Sequence, residues 1–365
     1  MKTFGIIAIV LMMPIATLLS ASSSHNSSQL SQFEQRAAAQ PGCSYDFSAV
    51  NDLLQEAVKT LPLNGASLML IKDDQQIYEQ YFGNYNAGTT VFIASASKWL
   101  AGATMMTLVD ENKLSLDDKV SQYLPYFEGP KGAMTIRQMF SHTSGLPGIP
   151  NDANCISNRF VTMGFCARQI SRLELIGPPG AQFSYGENSM QVAGRICEIV
   201  SGKSWESLFQ EKIAGPLRME GTTFGRGDNP MVAGGARSQL HDYANFLQMI
   251  LNEGKFKGVR VLSAKSVNEM QRNLTAGLPV IFSPSGQDQV NYATGEWIEV
   301  LDEHGDAVQL SSPGALGFTP WVDKKRNMVG VFLVQIRRQR VAPTIAAVRQ
   351  KINEAVDACA GSGSE

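Results

Sequence analysis

The sequence predicts an α/β (α+β) fold built on one antiparallel sheet, and three observations predict it. Strand-like segments gather near the two ends of the chain, at about 66–83 and about 292–336. Short helical patterns and Pro/Gly-rich loops fill the interval between them. Helical segments precede the first strands and follow the last. One sheet assembled from both chain ends, flanked by N- and C-terminal helices and interrupted by an all-helical lobe, satisfies that order. The chain has 365 residues, 44% hydrophobic and 18% charged, which suits one two-lobed unit with a sizeable core.

At the N-terminus, Lys2 precedes an apolar run from Phe4 to Leu19, and Ser20-Ala21-Ser22 supply small residues at its exit. That layout, with Pro14 inside the run, predicts a cleaved signal peptide over 1–21 rather than a retained anchor. No later segment is long and apolar enough to span a bilayer. The expected location is therefore exported, periplasmic or secreted, with no stable membrane span after cleavage. Residues 22–42 are rich in Ser, Gln, Asn and Ala without an apolar period, the composition of a flexible leader. Residues 43–360 are expected to form a single domain. Its α/β lobe covers about 43–115 and 230–360, and its helical lobe about 116–229.

Within that domain, "SAVNDLLQEAVKTL" sets Val50, Leu53, Leu54, Val58 and Leu61 at helical spacing. "ASLMLIKDDQQIYEQYFG" reads as two strands around an Asp73-Asp74 turn. The run from Trp99 to Val109 is apolar almost throughout and predicts a buried helix. Breakers at Pro178-Pro179-Gly180 and Gly215-Pro216 punctuate the middle of the chain. "SQLHDYANFLQMILNEGKF" is an amphipathic helix ended by Gly254. Strands are expected in "YATGEWIEV", near 307–311, in "LGFTPWVDKK" and in "NMVGVFLVQI", and a last helix in "APTIAAVRQKINEAVDACA".

The net charge of −2, with no basic stripe, argues against a nucleic-acid partner. Export permits disulfides among Cys43, Cys155, Cys166, Cys197 and Cys359. Cys155 and Cys166 flank a short segment that a bridge would staple, and Cys43 and Cys359 lie near the two ends of the mature chain. Cys197 sits in the apolar pattern "VAGRICEIV" and reads as a buried thiol. Spacing alone does not establish a pairing.

The chemistry-bearing stretch is "FIASASKWL", which sets Ser95 and Lys98 three positions apart. A serine hydroxyl needs a proton acceptor before it attacks a carbonyl carbon, and a desolvated lysine amine can serve. On a helix the two share one face, whereas Ser97 points elsewhere. A serine at a helix start also lies beside backbone N–H groups that stabilise negative charge. Lys98 is hemmed in by Ile93, Ala94, Trp99 and Leu100, an odd setting for a solvated lysine.

The text around this pair resembles the serine β-lactamase-like family, which includes class C β-lactamases, penicillin-binding enzymes, D-stereospecific peptidases and short-chain esterases of the family VIII type. The likeness runs through "FIASASKWLAGATMMTLVDENKLSLDDKVSQYLPYF", "MTIRQMFSHTSGLPG", "PGAQFSYGENSMQVAGRICEIVSGKSW", "IAGPLRMEGTTF", "GGARSQLHDYANFLQMILNEGKF" and "LGFTPWVDKKRNMVGVFLVQ", over roughly residues 48–336. It implies that Ser95 is the acylated nucleophile, Lys98 its general-base partner and Tyr185 a proton relay. It implies an oxyanion hole from the backbone N–H of Ser95 and one from the late strand, at Gly314. His142, in "SHTSGLPG", is implied to be architectural. No cofactor and no metal is expected.

Two departures matter. Where the family has Tyr-x-Asn, this chain reads Tyr185-Gly186-Glu187, with Asn188 one place late. An ionised Glu187 would hold Lys98 protonated and make Tyr185 the better base. Where the family has Lys-Thr-Gly or His-x-Gly before a Gly-Phe pair, this chain has Ser311-Ser312-Pro313 before Gly317-Phe318. The missing cation removes a contact to a substrate carboxylate, a loss that an uncharged ester does not feel. Arg337 and Arg338 adjoin the last strand, and nothing local carries either to the site. The expectation is an exported serine hydrolase for small-acyl esters, with a small-molecule ester or amide as its partner. A β-lactamase or D-amino-acid/cell-wall peptidase is the alternative enzyme, and a non-catalytic cell-wall or partner-binding protein the alternative of another class.

Overall fold

The computed structural model describes residues 44–361; the expectations for the signal peptide, the leader and Cys43 lie outside the described residues. Residues Tyr45–Ala358 form one compact unit. It opens with helix α1 (Ser48–Thr60), whose Val50, Leu54 and Ala57 are buried on one face. Strands β1 (Gly65–Lys72) and β2 (Gln75–Gly83) follow as a hairpin. Its two turn residues, Asp73 and Asp74, both adopt positive φ, the backbone that matches the twist of a two-residue hairpin loop.

After helix α2 (Ser97–Asp110) come the shorter elements of the middle region, then α3 (Asn188–Ser201) and α4 (Leu240–Leu251). The chain closes with β3 (Trp297–Leu301), β4 (Ala307–Ser311), β5 (Thr319–Asp323), β6 (Met328–Val334) and α5 (Arg338–Gly361). The six long strands form one antiparallel sheet in the order β2-β1-β6-β5-β4-β3. The β1–β6 pair, from Ala66 opposite Val334 to Lys72 opposite Met328, joins the two ends of the chain.

Both faces of the sheet are covered, so β1 and β6 are buried almost throughout. Ala66, Leu68, Leu70, Phe332 and Val334 point toward α1 and α5, where they meet Val50, Leu54, Val348 and Ile352. Met69, Ile71, Val329, Val331 and Leu333 point the other way into the main core, with Trp99, Leu100, Phe246 and Leu247. Each buried side chain of this size contributes roughly 1.5–3 kcal/mol. Helix α2 shows no amphipathic stripe because it is enclosed on all sides, with Ser97 through Leu108 buried. A Cβ on its Gly102 would lie 2.3 Å from the Thr294 carbonyl, so glycine there lets the loop before β3 press against the helix.

The regular structure of the middle region is mainly helical, joined by long loops, with helices at Ile136–Phe140, Met163–Ile170, α3 and Trp205–Phe209. It is not all-helical, because Phe183–Ser184 pairs in parallel with Val280–Phe282. That bridge ties the segment bearing Tyr185 to the chain leading into β3. Cys155 and Cys166 are disulfide-bonded, Cys359 is also in a disulfide, and Cys197 is a buried free thiol. Among the described residues no helix is long and apolar enough to cross a membrane.

Candidate active site

Ser95 lies in a single 3-10 turn, Ala94–Ala96, that leads into α2. Ala94 is held at φ +45°, a left-handed conformation that alanine rarely adopts and that costs about 1–3 kcal/mol. The turn is tied from both sides. Ile93 N–H donates to the Ala236 carbonyl at 3.0 Å, and the Ser97 hydroxyl donates to the Ala94 carbonyl at 2.6 Å while accepting from Ala236 N–H at 3.0 Å. Ser97 is therefore engaged in holding the turn, while Ser95 stays partly exposed on a cavity of about 630 Å³.

Lys98 is 1% exposed. Its Nζ donates to the Ala233 carbonyl at 2.9 Å and lies 3.4 Å from Ser95 Oγ. It also sits 4.6 Å from the centre of the Tyr185 ring. Tyr185 is 2% exposed and shares the cavity wall with Ser95. Trp297 stacks on it, with ring centres 5.5 Å apart at 24°, and Tyr292 meets it edge-on at 6.0 Å. Ser95, Lys98 and Tyr185 thus come together from α2 and from the loop before α3, about ninety residues apart in sequence.

The backbone donors differ from the sequence-based expectation at one position. Gly314 N–H is not available to the cavity, because it donates to the Phe318 carbonyl at 2.8 Å. Ser312 N–H is likewise committed, to the Pro320 carbonyl at 3.4 Å, and Ala315 follows in the turn that Gly317 N–H closes on the Gly314 carbonyl at 3.0 Å. Ala315 lines the cavity with Ser95, and its N–H has no acceptor among the described residues. Gly314 N–H is thereby committed elsewhere, and Ala315 N–H is the candidate for a second backbone donor. Gly314 matters through its missing side chain instead. A Cβ there would fall 2.2 Å from the Ile93 carbonyl, so only glycine lets this strand approach the Ser95 turn.

Ser312 donates within reach of both the Ser95 and Gly295 carbonyls, at 3.3 Å each, and so braces the turn from beneath. Ser311 lines the cavity. Asn188 is turned away from it, with its side chain accepting from Ala153 N–H and donating to the Pro147 carbonyl. It joins α3 to the 147–153 loop and takes no place beside Lys98. Glu187 lies against Gly234, next to the residue that binds Lys98 Nζ. Burial pushes its carboxyl above the ordinary value, with Lys98 opposing and Asp152 adding to the rise. The Asp152 carboxylate accepts both Glu187 N–H (2.9 Å) and Asn188 N–H (3.2 Å), fixing the turn after Tyr185.

His142 is fully enclosed between Tyr185 and Tyr292, at ring separations of 4.6 and 5.1 Å. Burial, with Lys98 adding, pushes its imidazole well below the usual histidine range, so it packs as a neutral ring. Trp297, Ala233 and Ala315 escaped the sequence reading because each acts through a ring face or backbone atoms, and Asp152 because its carboxylate accepts from N–H groups some thirty-five residues later. The alternation of residues 311, 313 and 315 was the one local signal that pointed to Ala315.

A hydroxyl beside a buried amine, with two backbone N–H groups at the same cavity, is equipment for acyl transfer. The chain matches the Beta-lactamase family over residues 50–352. It belongs to the beta-lactamase family of serine hydrolases. Among solved structures it resembles a beta-lactamase relative from Bacteroides dorei DSM 17855, at 32% identity and TM-score 0.78, covering 86% of this chain and 99% of that one. A family VIII carboxylesterase shares the fold at 18% identity and TM-score 0.70, covering 86% and 99%. Among curated proteins, Protein flp of Staphylococcus aureus (strain MW2) is 26% identical over 187 residues, 48% of this chain and 38% of that protein. The chain thus matches well under half the length of that relative. An uncharacterized protein, MT1414, of Mycobacterium tuberculosis (strain CDC 1551 / Oshkosh) is 25% identical over 353 residues, covering 75% and 86%. Proteins of this fold therefore include a carboxylesterase, and the fold leaves the substrate class open.

Proposed function

We propose that this family member is an exported serine hydrolase working by acyl transfer through Ser95, most effectively on esters of small acyl groups. The observation that carries the proposal is Lys98 Nζ, buried and 3.4 Å from a Ser95 hydroxyl that opens on the cavity. In the first half-reaction Ser95 Oγ attacks the carbonyl carbon, and its proton passes to Lys98, with Tyr185 relaying it onward. The tetrahedral oxyanion sits between the N–H groups of Ser95 and Ala315. The intermediate collapses by breaking the bond to the leaving alcohol, which takes the proton and departs. Water then attacks the acyl carbon, gives a proton back to Ser95 Oγ, and releases the acid. Burial pushes the Glu187 carboxyl above its ordinary value, with Lys98 opposing, so a negative charge is disfavoured at that position.

Esters are preferred to β-lactams or peptides in this proposal because Ser311-Ser312-Pro313 supplies no cation at the end of β4. Export rests on the Lys2 to Leu19 pattern and on the Cys155–Cys166 bridge, which suits an oxidising compartment. The test is hydrolysis of p-nitrophenyl butyrate by the wild-type protein beside Ser95→Ala. A fall of at least about a thousandfold in the variant is expected. Retained turnover in Ser95→Ala would remove Ser95 from the chemistry. A protein that neither turns over esters nor takes a fluorophosphonate label on Ser95 would instead be a binding member without catalysis.

A further inference from the structure

A cavity of about 490 Å³ opens beside the Cys155–Cys166 bridge and shares no lining residue with the Ser95 cavity. Its volume lies within the roughly 300–1,000 Å³ of small-molecule sites. Amides dominate its lining, from Asn151, Asn154, Asn158 and Gln169, and Asp152 is the one charged residue. Phe165 and Leu173 supply apolar surface.

Much of the hydrogen-bonding capacity of this wall is unused. Asn151 and Asn154 hydrogen-bond through backbone atoms alone among the described residues. Asn158 Oδ1 accepts from Phe160 N–H at 3.0 Å, and Gln169 Oε1 from Arg172 Nη1 at 3.4 Å, which leaves both amide nitrogens as donors. Asp152 accepts Glu187 and Asn188 N–H through Oδ1 alone, leaving Oδ2. The backbone beneath these side chains is fixed. The disulfide ties the loop to the helix Met163–Ile170, and buried Asn229 donates to the Cys155 and Asn158 carbonyls at 2.8 and 3.0 Å. Asn229 is itself held by Gln191 Nε2 at 2.8 Å. A frame ordered beforehand lowers the entropy cost of binding.

Phe165 stays 48% exposed at this cavity. An aromatic face beside amide donors and acceptors matches a pyranose, which presents C–H groups on its faces and hydroxyls at its edge. Each hydroxyl donates and accepts, as each amide does, so pairs form in either sense. No cationic residue lines the cavity, and its one carboxylate repels an anion.

We propose that this cavity binds a neutral saccharide, with one pyranose ring against Phe165 and its hydroxyls on the surrounding amides. Binding is non-covalent and holds the protein on a glycan, independently of the acyl-transfer reading of Ser95. Asp152 adjoins both places, because its Oδ1 fixes the turn after Tyr185 while the residue lines this cavity. A bound glycan therefore lies one side chain from that turn.

The test is saturation-transfer NMR on the wild-type protein, titrated with cellobiose and with N,N′-diacetylchitobiose to about 10 mM. The first offers hydroxyls alone and the second adds acetamido groups, so the two report which edge chemistry the amides prefer. At least one is expected to bind with a millimolar or lower Kd. Phe165→Ala and Asn154→Ala should each weaken that binding about three- to tenfold, and Phe165→Trp should retain it. Both positions are exposed, so thermal unfolding of the variants should match wild type. Ester hydrolysis by Phe165→Ala should equal that of wild type, which separates this cavity from the chemistry at Ser95. Failure of both disaccharides to bind wild type would overturn the proposal, as would binding that both alanine variants leave unchanged. A protein inert toward esters that still binds saccharide at this cavity would sink the esterase reading and leave this one standing.

Discussion

Glu296 is fully buried beside the nucleophile helix, and neither of its carboxyl oxygens has a hydrogen-bond partner. Burial pushes its pKa well above the ordinary glutamate value, with only Lys324 opposing; Tyr243 and Tyr292 are the other titratable groups it faces. The carboxyl is therefore neutral in the folded protein and ionises in the unfolded chain above the ordinary value of 4.5. Below that value both states hold the proton and the group is indifferent to pH. Above it the folded state holds one more proton than the unfolded state, so stability falls as pH rises. The slope is about 1.4 kcal/mol per pH unit, continuing until pH reaches the raised folded value. Glu296→Gln keeps the shape and cannot ionise, so it lacks this slope. In urea unfolding at a series of pH values from about 4 to 7, the two proteins should start nearly alike. The variant should then gain on wild type by about 1.4 kcal/mol for each further unit. A difference between them that stays constant with pH would refute a neutral, unpartnered Glu296.

Two further perturbations probe the supports of the site. Asp152→Ala removes the oxygen that accepts the Glu187 and Asn188 N–H groups, and is expected to cost about 1–3 kcal/mol of stability and to lower kcat/KM. Asp152→Asn, which keeps an acceptor oxygen, should cost less in both assays, read by urea unfolding and ester hydrolysis. Replacing Cys155 and Cys166 together by serine opens a bridge with a sequence separation of 11 and should cost about 3 kcal/mol. Reductant opens the Cys359 bridge as well, so wild type unfolded in its presence should lose at least as much as the double variant.

The large elements were legible because each has a periodic signature that needs no partner to read. The polar turn at Asp73-Asp74 between two apolar runs defines the first hairpin, and the four late strands fall where β-branched and aromatic residues cluster. Helix α2 was legible as buried because its apolar residues go all the way round. Ser95 and Lys98 were legible as a pair because a single turn of chain separates them, and backbone geometry alone brings them within reach.

Other features of the site were decided by tertiary contacts. Gly314 was the expected backbone donor, yet its N–H is taken by the Phe318 carbonyl, while Ala315 N–H has no acceptor among the described residues. Asn188 and Glu187 differ by one position, and their roles were separated by the loop at Asp152, some thirty-five residues earlier. The sequence by itself determined the two-ended sheet, the buried nucleophile helix and the Ser–Lys pair, because hydrophobic period and local turn geometry are properties of short segments. Only the tertiary structure decided that Gly314 N–H is taken by Phe318 and that Asp152 separates Glu187 from Asn188, because those depend on contacts between segments that meet only when the core closes.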